Sequence, residues 1–132
     1  MAARDLYLRV VEARDRVLGP EHPGTLAARA SLARWTGEAG DKALARDQSA
    51  QLVAAHERVL GPEHPDTLAA RAGHADLTGL TGDAGAARAL YAELLPIRER
   101  VLGPEHPRTQ AARADLAYWT RQADGGAEPD AT

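Results

Sequence analysis

Apolar residues recur at three- and four-residue spacing in two stretches of the chain, Leu6, Val10, Ala13 and Val17 near the start and Leu90, Leu94, Leu95, Ile97 and Val101 further on. That interval follows the turn of an α-helix, so each stretch carries an apolar stripe along one face. Residues 26–35 and 68–77 are rich in Ala, Leu and Arg and hold neither proline nor a β-branched residue. Strong helix formers without a breaker predict two more helices there.

The elements repeat. Val-Leu-Gly-Pro-Glu-His-Pro begins at Val17, Val59 and Val101 and so recurs every 42 residues. Residues 17–30 and 59–72 differ only at Gly24 against Asp66. A fixed period of this length sets the same supersecondary unit side by side, each burying its apolar face against its neighbours. Pro23, Pro65 and Pro107 suit a first helical turn, where a missing N–H has no partner to lose, and Thr25, Asp66 and Thr67 favour helix initiation. Gly37 to Gly40 and Gly79 to Gly82 close these first helices, and Asp41 and Asp83 are expected to cap the second helices that follow. Gly19-Pro20, Gly61-Pro62 and Gly103-Pro104 stop the second helices. Pro96 lies inside one of them and predicts a local bend.

Residues 1–18 align with 85–102, so the chain opens on a second helix (B) without its first (A). It closes on a first helix, Ala112 to Arg121, without its second. The order reads B-A-B-A-B-A: a half-repeat over 1–18, repeats from 19–60 and 61–102, and a half-repeat over 103–123. Residues 124–132, Asp-Gly-Gly-Ala-Glu-Pro-Asp-Ala-Thr, are short and polar and are expected to be a disordered tail.

Composition narrows the function. The chain of 132 residues has no Cys, which removes disulfides and thiolate metal sites. Its net charge is −3, without a basic stripe to track phosphates, so nucleic acid is not an expected partner. No apolar run approaches a membrane span and no leader-like segment opens the chain, so a soluble, cytoplasmic protein is expected. Without a single Phe, the core must come from Ala, Leu and Val.

The spacing, the turns and the three-fold recurrence together resemble tetratricopeptide repeats of the long, kinesin-light-chain-like kind. Leu32-Ala33, Gly40-Asp41 and Ala45 match that family's large–small pair, turn and small contact residue. Ala75, Gly82, Asp83, Ala87 and Tyr91 match in the next copy, and Leu116 and Ala117 in the last. Thr36, Thr78 and Thr120 stand where the family carries an aromatic residue, with Trp35 and Trp119 one position earlier. Ser49 stands where Tyr7 and Tyr91 occur, and His74 where Leu32 and Leu116 do. The resemblance implies an all-α, right-handed solenoid of antiparallel helix pairs, with six helices here.

Candidate chemistry is sparse. His22, His64 and His106 fall at equivalent repeat positions, and packed helices lie about 8–10 Å apart while a zinc–nitrogen bond is about 2 Å. They cannot share one ion, and capping or exposure in the connectors is expected instead. His56 and His74 begin no metal-binding pattern, and no nucleophile elbow or phosphate loop is present. No catalytic residue, metal or cofactor is expected; the chain reads as a non-enzyme.

The resemblance also implies a concave groove, lined by first helices, that receives a partner peptide or helix. Carried over by position, it comprises Ala27, Ala30, Ser31, Arg34 and Glu38, then Ala69, Gly73, Asp76 and Leu80, then Ala111, Asp115, Tyr118 and Gln122. Small residues would let a partner backbone approach closely, with Arg34, Asp76, Asp115 and Tyr118 giving direction. The Lys, Asn and Arg set with which some relatives clamp a terminal carboxylate is missing, and the mixed charges point to a partner neither strongly acidic nor strongly basic. A second reading is self-assembly through complementary half-repeat ends, Leu6, Tyr7 and Val10 on one and Leu116 and Trp119 on the other, giving a head-to-tail or swapped homo-oligomer. A third is an excerpt of a larger bacterial signalling or regulatory protein.

Overall fold

The computed structural model describes residues 2–125. Among these the chain forms six helices and no strand: α1 (Ala3–Leu18), α2 (Pro23–Glu38), α3 (Lys42–Leu60), α4 (Pro65–Leu80), α5 (Ala84–Leu102) and α6 (Pro107–Ala123). They group into two compact units, Met1–Ala70 and Arg71–Thr132, with the division inside α4. Most of the expected tail, residues 126–132, lies outside the described residues; Asp124 and Gly125 follow directly on α6.

The connectors set the helix starts by a device the sequence only half disclosed. The Nδ1 atoms of His22, His64 and His106 accept the backbone N–H groups of Gly24, Asp66 and Arg108 at 2.9, 3.0 and 3.1 Å. Each imidazole thus takes one of the donors that a helix start leaves without an intrahelical partner. The following proline occupies the first turn of α2 and α6, where its lost N–H costs nothing. The threonines have a different task from the one expected. Thr25 and Thr67 are buried, and their hydroxyls reach back across the connector to donate to the carbonyls of Gly19 and Gly61 at 2.7 and 2.8 Å. Those glycines have φ of 95° and 96°, in the left-handed region where a Cβ is strained. Asp41 and Asp83 cap α3 and α5 as expected, accepting from the N–H groups of Leu44 and Ala86 at 3.1 and 3.0 Å. α5 runs through Pro96 without interruption.

In the first unit α1 packs on α2 and α2 on α3. Leu26 of α2 closes on Leu52 and Ala55 of α3 in one buried cluster. The Arg14 guanidinium donates to the carbonyl of Gly24 at 2.8 Å, tying α1 to the start of α2. In the second unit α5 packs on α6, and Arg98 makes the same tie two repeats later, donating to the carbonyl of Arg108 at 3.0 Å. Thr36, Thr78 and Thr120, which replace large aromatics, donate to the carbonyl four residues earlier at 2.7, 2.8 and 2.7 Å. Their hydroxyls therefore enter tight helix contacts already satisfied. Among the described residues no helix is long and apolar enough to cross a membrane.

Candidate partner-binding face

The first helices present small residues to solvent at helical spacing. On α2, Ala27, Ala30, Arg34 and Glu38 are exposed and Ser31 is half-buried, while Leu26, Ala28, Leu32 and Ala33 turn inward. Spacing of three and four residues keeps the exposed set on one face. Ala69 is exposed at the end of the first unit. The Arg34 guanidinium carbon lies 5.3 Å from the centre of the Trp35 ring, close enough for a cation–π attraction that holds the side chain to its own helix.

In the second unit, Gly73, Ala111 and Gln122 are exposed, and two apolar side chains stand well into solvent, Leu80 at 53% and Tyr118 at 43% of full exposure. Asp76 and Asp115 are half-buried. They border a polar cluster that the sequence did not foretell. Tyr91, completely buried on α5, places its hydroxyl 2.8 Å from Asp76 Oδ1 and 3.2 Å from the carbonyl of Ala72. The Trp119 indole N–H donates to the same Asp76 oxygen from α6 at 3.2 Å. One carboxylate thus joins α4, α5 and α6, and Asp76 is held by its own unit instead of standing free for a partner.

The electrostatics follow from this crowding. Burial, reinforced by the charge of Asp76, holds the Tyr91 phenol far above its ordinary range, so its proton stays in place as a donor. Burial and then the neighbouring Asp76 charge raise the Asp115 carboxyl above the usual carboxylate value, against the pull of the Tyr91 hydrogen bond and of Arg98. Burial lowers the Arg98 guanidinium, although the acidic groups of the cluster oppose that shift.

The residues expected at the two ends are placed unequally. Leu6 is exposed and Tyr7, Val10 and Leu116 are half-buried. Trp119 corrects the expectation: it is buried, because its indole lies against the Cα of Gly79 and its N–H is engaged by Asp76, so it offers no surface to a second molecule. Tyr91, read only as a family match, and Arg98 are central to the second unit. The signal that could have found them is the repeat register, which places Tyr91 with Tyr7 and Arg98 with Arg14. Among the described residues no group of three or more His, Asp or Glu is placed to hold a metal ion.

Two models of the tetratricopeptide repeat match the chain, one over residues 1–57 and one over 67–108. Among solved structures, it is similar to a Podosopora anserina protein described as kinesin light chain nearly identical TPR-like repeats, at 31% identity and a TM-score of 0.83. A singly substituted form of that protein matches at 30% identity with the same TM-score. Each comparison covers 92% of this chain and 57% of the other, so the chain spans little more than half the length of these relatives. No curated protein matches the sequence. The likeness gives an all-α, tetratricopeptide-like solenoid fold.

Proposed function

The chain belongs to the tetratricopeptide repeat family, with repeats of the kinesin-light-chain-like kind, and from that premise we propose that it is a scaffold holding a partner peptide or helix along the exposed faces of its first helices. Repeats of this family generally mediate protein–protein interaction and are not catalytic. The observation that carries the finer reading is the exposure of Leu80 and Tyr118 on the same helices as the exposed small residues Gly73 and Ala111. Small residues admit a backbone closely, the exposed leucine adds apolar area, and tyrosine is among the residue types that dominate binding energy at interfaces. Asp115 adds a site for one basic or amide donor of the partner.

Peptides selected from a random display library against the chain, then measured by calorimetry, test the reading. Ala111→Glu combined with Tyr118→Ala should weaken binding at least tenfold, while Arg88→Glu on the exposed side of α5 should leave it unchanged. Equal affinity for all three proteins would place the binding surface elsewhere. Asp76→Arg is a poor probe because it would also break the Tyr91 and Trp119 contacts.

A further inference from the structure

The three connectors share one shape and differ in what fastens them. Gly19, Gly61 and Gly103 have φ of 95°, 96° and 96°, and a histidine caps the helix that follows each. The Thr67 and Thr109 hydroxyls donate to the carbonyls of His56 and Arg98, both at 3.3 Å, so the last two joints have the same backbone geometry. The fastening comes from the preceding helix. Arg14 donates to the carbonyl of Gly24 at 2.8 Å, and Arg98 to that of Arg108 at 3.0 Å. In the middle copy His56 stands at this position, buried like Arg98. Its Nδ1 lies 2.9 Å from the carbonyl of Leu52, one turn back on α3, and a carbonyl only accepts, so the ring N–H donates there. That bond uses the single donor of a neutral imidazole, and the other nitrogen can then only accept, as a carbonyl does. Asp66, the counterpart of Gly24 and Arg108, therefore has no side-chain donor on its carbonyl among the described residues.

We propose that the joint between α3 and α4 is a point of give built into the fold: the first turn of α4 opens from α3 by local unfolding more readily than the first turn of α2 opens from α1, or that of α6 from α5. Charge-assisted hydrogen bonds are the strong ones, and the middle joint is the one that lacks its guanidinium. The cap, the glycine and the threonine bonds remain, so the joint closes to the same geometry each time and differs in how firmly it is held. Regions of low local stability are where a repeat protein opens first. The first compact unit ends at Ala70, one turn beyond this joint. This inference stands apart from peptide binding on the first-helix faces.

Amide hydrogen exchange followed by NMR tests this with a control inside the chain. The N–H groups of Leu26 and Leu68 each donate to the carbonyl of a connector histidine at 3.0 Å. Both leucines stand in the sequence Thr-Leu-Ala-Ala-Arg-Ala, so their unprotected exchange rates are alike. In the wild type Leu68 should exchange about fivefold faster than Leu26, or more. Fraying toward a terminus works in the opposite direction, because Leu26 lies nearer to one. Arg14→His gives the first joint the side chain of the middle one at an exposed position, and it should bring the Leu26 rate up to that of Leu68. Equal rates for the two leucines in the wild type, or a slower Leu68, would overturn the proposal. So would an Arg14→His protein in which the Leu26 rate stays where it was.

Discussion

Gly79 of α4 lacks a side chain at the place where Trp119 of α6 lays its indole: a Cβ built at Gly79 would fall 2.4 Å from Cη2 of that ring. Real contacts never come so close, so the absence of one methyl is what lets the tryptophan bury and present its N–H to Asp76. The pair is 40 residues apart in sequence, and neither residue makes sense without the other.

The contrast with Gly73, six residues earlier on the same helix, gives a prediction of opposite signs. Around Gly73 nothing lies within 4 Å of a built Cβ, and the residue is exposed. Gly73→Ala should stabilise the protein by about 0.5–1 kcal/mol, because alanine loses less backbone entropy on entering a helix. Gly79→Ala should destabilise it by about 1–3 kcal/mol as the rigid ring is displaced. Urea unfolding of the two variants measures both. A stabilised Gly79→Ala protein would mean that the indole is not seated there.

Tyr91→Phe isolates the polar half of the same junction. It keeps the buried ring and removes the hydroxyl that donates to Asp76 at 2.8 Å. Hydrogen bonds to charged groups contribute about 1.5–3 kcal/mol, so a loss near the lower figure is expected in denaturant unfolding, given that Asp76 retains the Trp119 N–H. Tyr7→Phe, at the equivalent position of α1, where the side chain is half-buried, should change the stability of the monomer much less.

Asp115 gives the chain a pH dependence of definite sign. Its folded-state carboxyl is raised by burial and by Asp76, so the folded protein binds this proton more readily than the unfolded chain does. Its contribution to stability is therefore present below the ordinary carboxylate value of about 3.9 and is lost as pH rises through the raised one. Asp115→Asn should raise the melting temperature at neutral pH and bring no gain at pH about 3, where both proteins carry a neutral group at this position. A melting curve series across that range checks it; a variant less stable than wild type at neutral pH would contradict the sign.

How much of this was legible beforehand follows from what periodicity can encode. The 42-residue recurrence, the aspartate caps and the connector glycines are local, and the structure places helix boundaries beside these signals, although α6 starts at Pro107, ahead of the Ala112 to Arg121 span read as the last helix. α2 starts at Pro23, the first-turn position that proline suits. The rows on α2 and α6 came from the family resemblance, carried over position by position, and not from spacing. Spacing within one helix cannot say which of several neighbours a face will meet. Asp76 looked available to a partner because its two donors lie 15 and 43 residues away on other helices. Trp119 looked like an end residue because only the structure shows its fit to Gly79. The histidines illustrate the limit at short range: their recurrence was plain, but not their choice of backbone N–H over solvent.

Those histidines carry the last prediction. In His106 the ring sits at the cap of α6, with φ and ψ of −63° and 138°, and Nδ1 accepts the Arg108 N–H two residues on. Alanine there leaves that donor to water and should cost about 0.5–2 kcal/mol, the usual loss on removing a capping side chain. Aspartate offers an oxygen to the same early N–H groups and adds a negative charge where the helix dipole is positive, so His106→Asp should match or exceed wild-type stability. Because the geometry is shared with His22 and His64, the alanine losses should recur at those connectors. Guanidinium unfolding of the three single variants measures this. A His106→Asp protein as weak as His106→Ala would show that the imidazole acts by packing and not by accepting the bond.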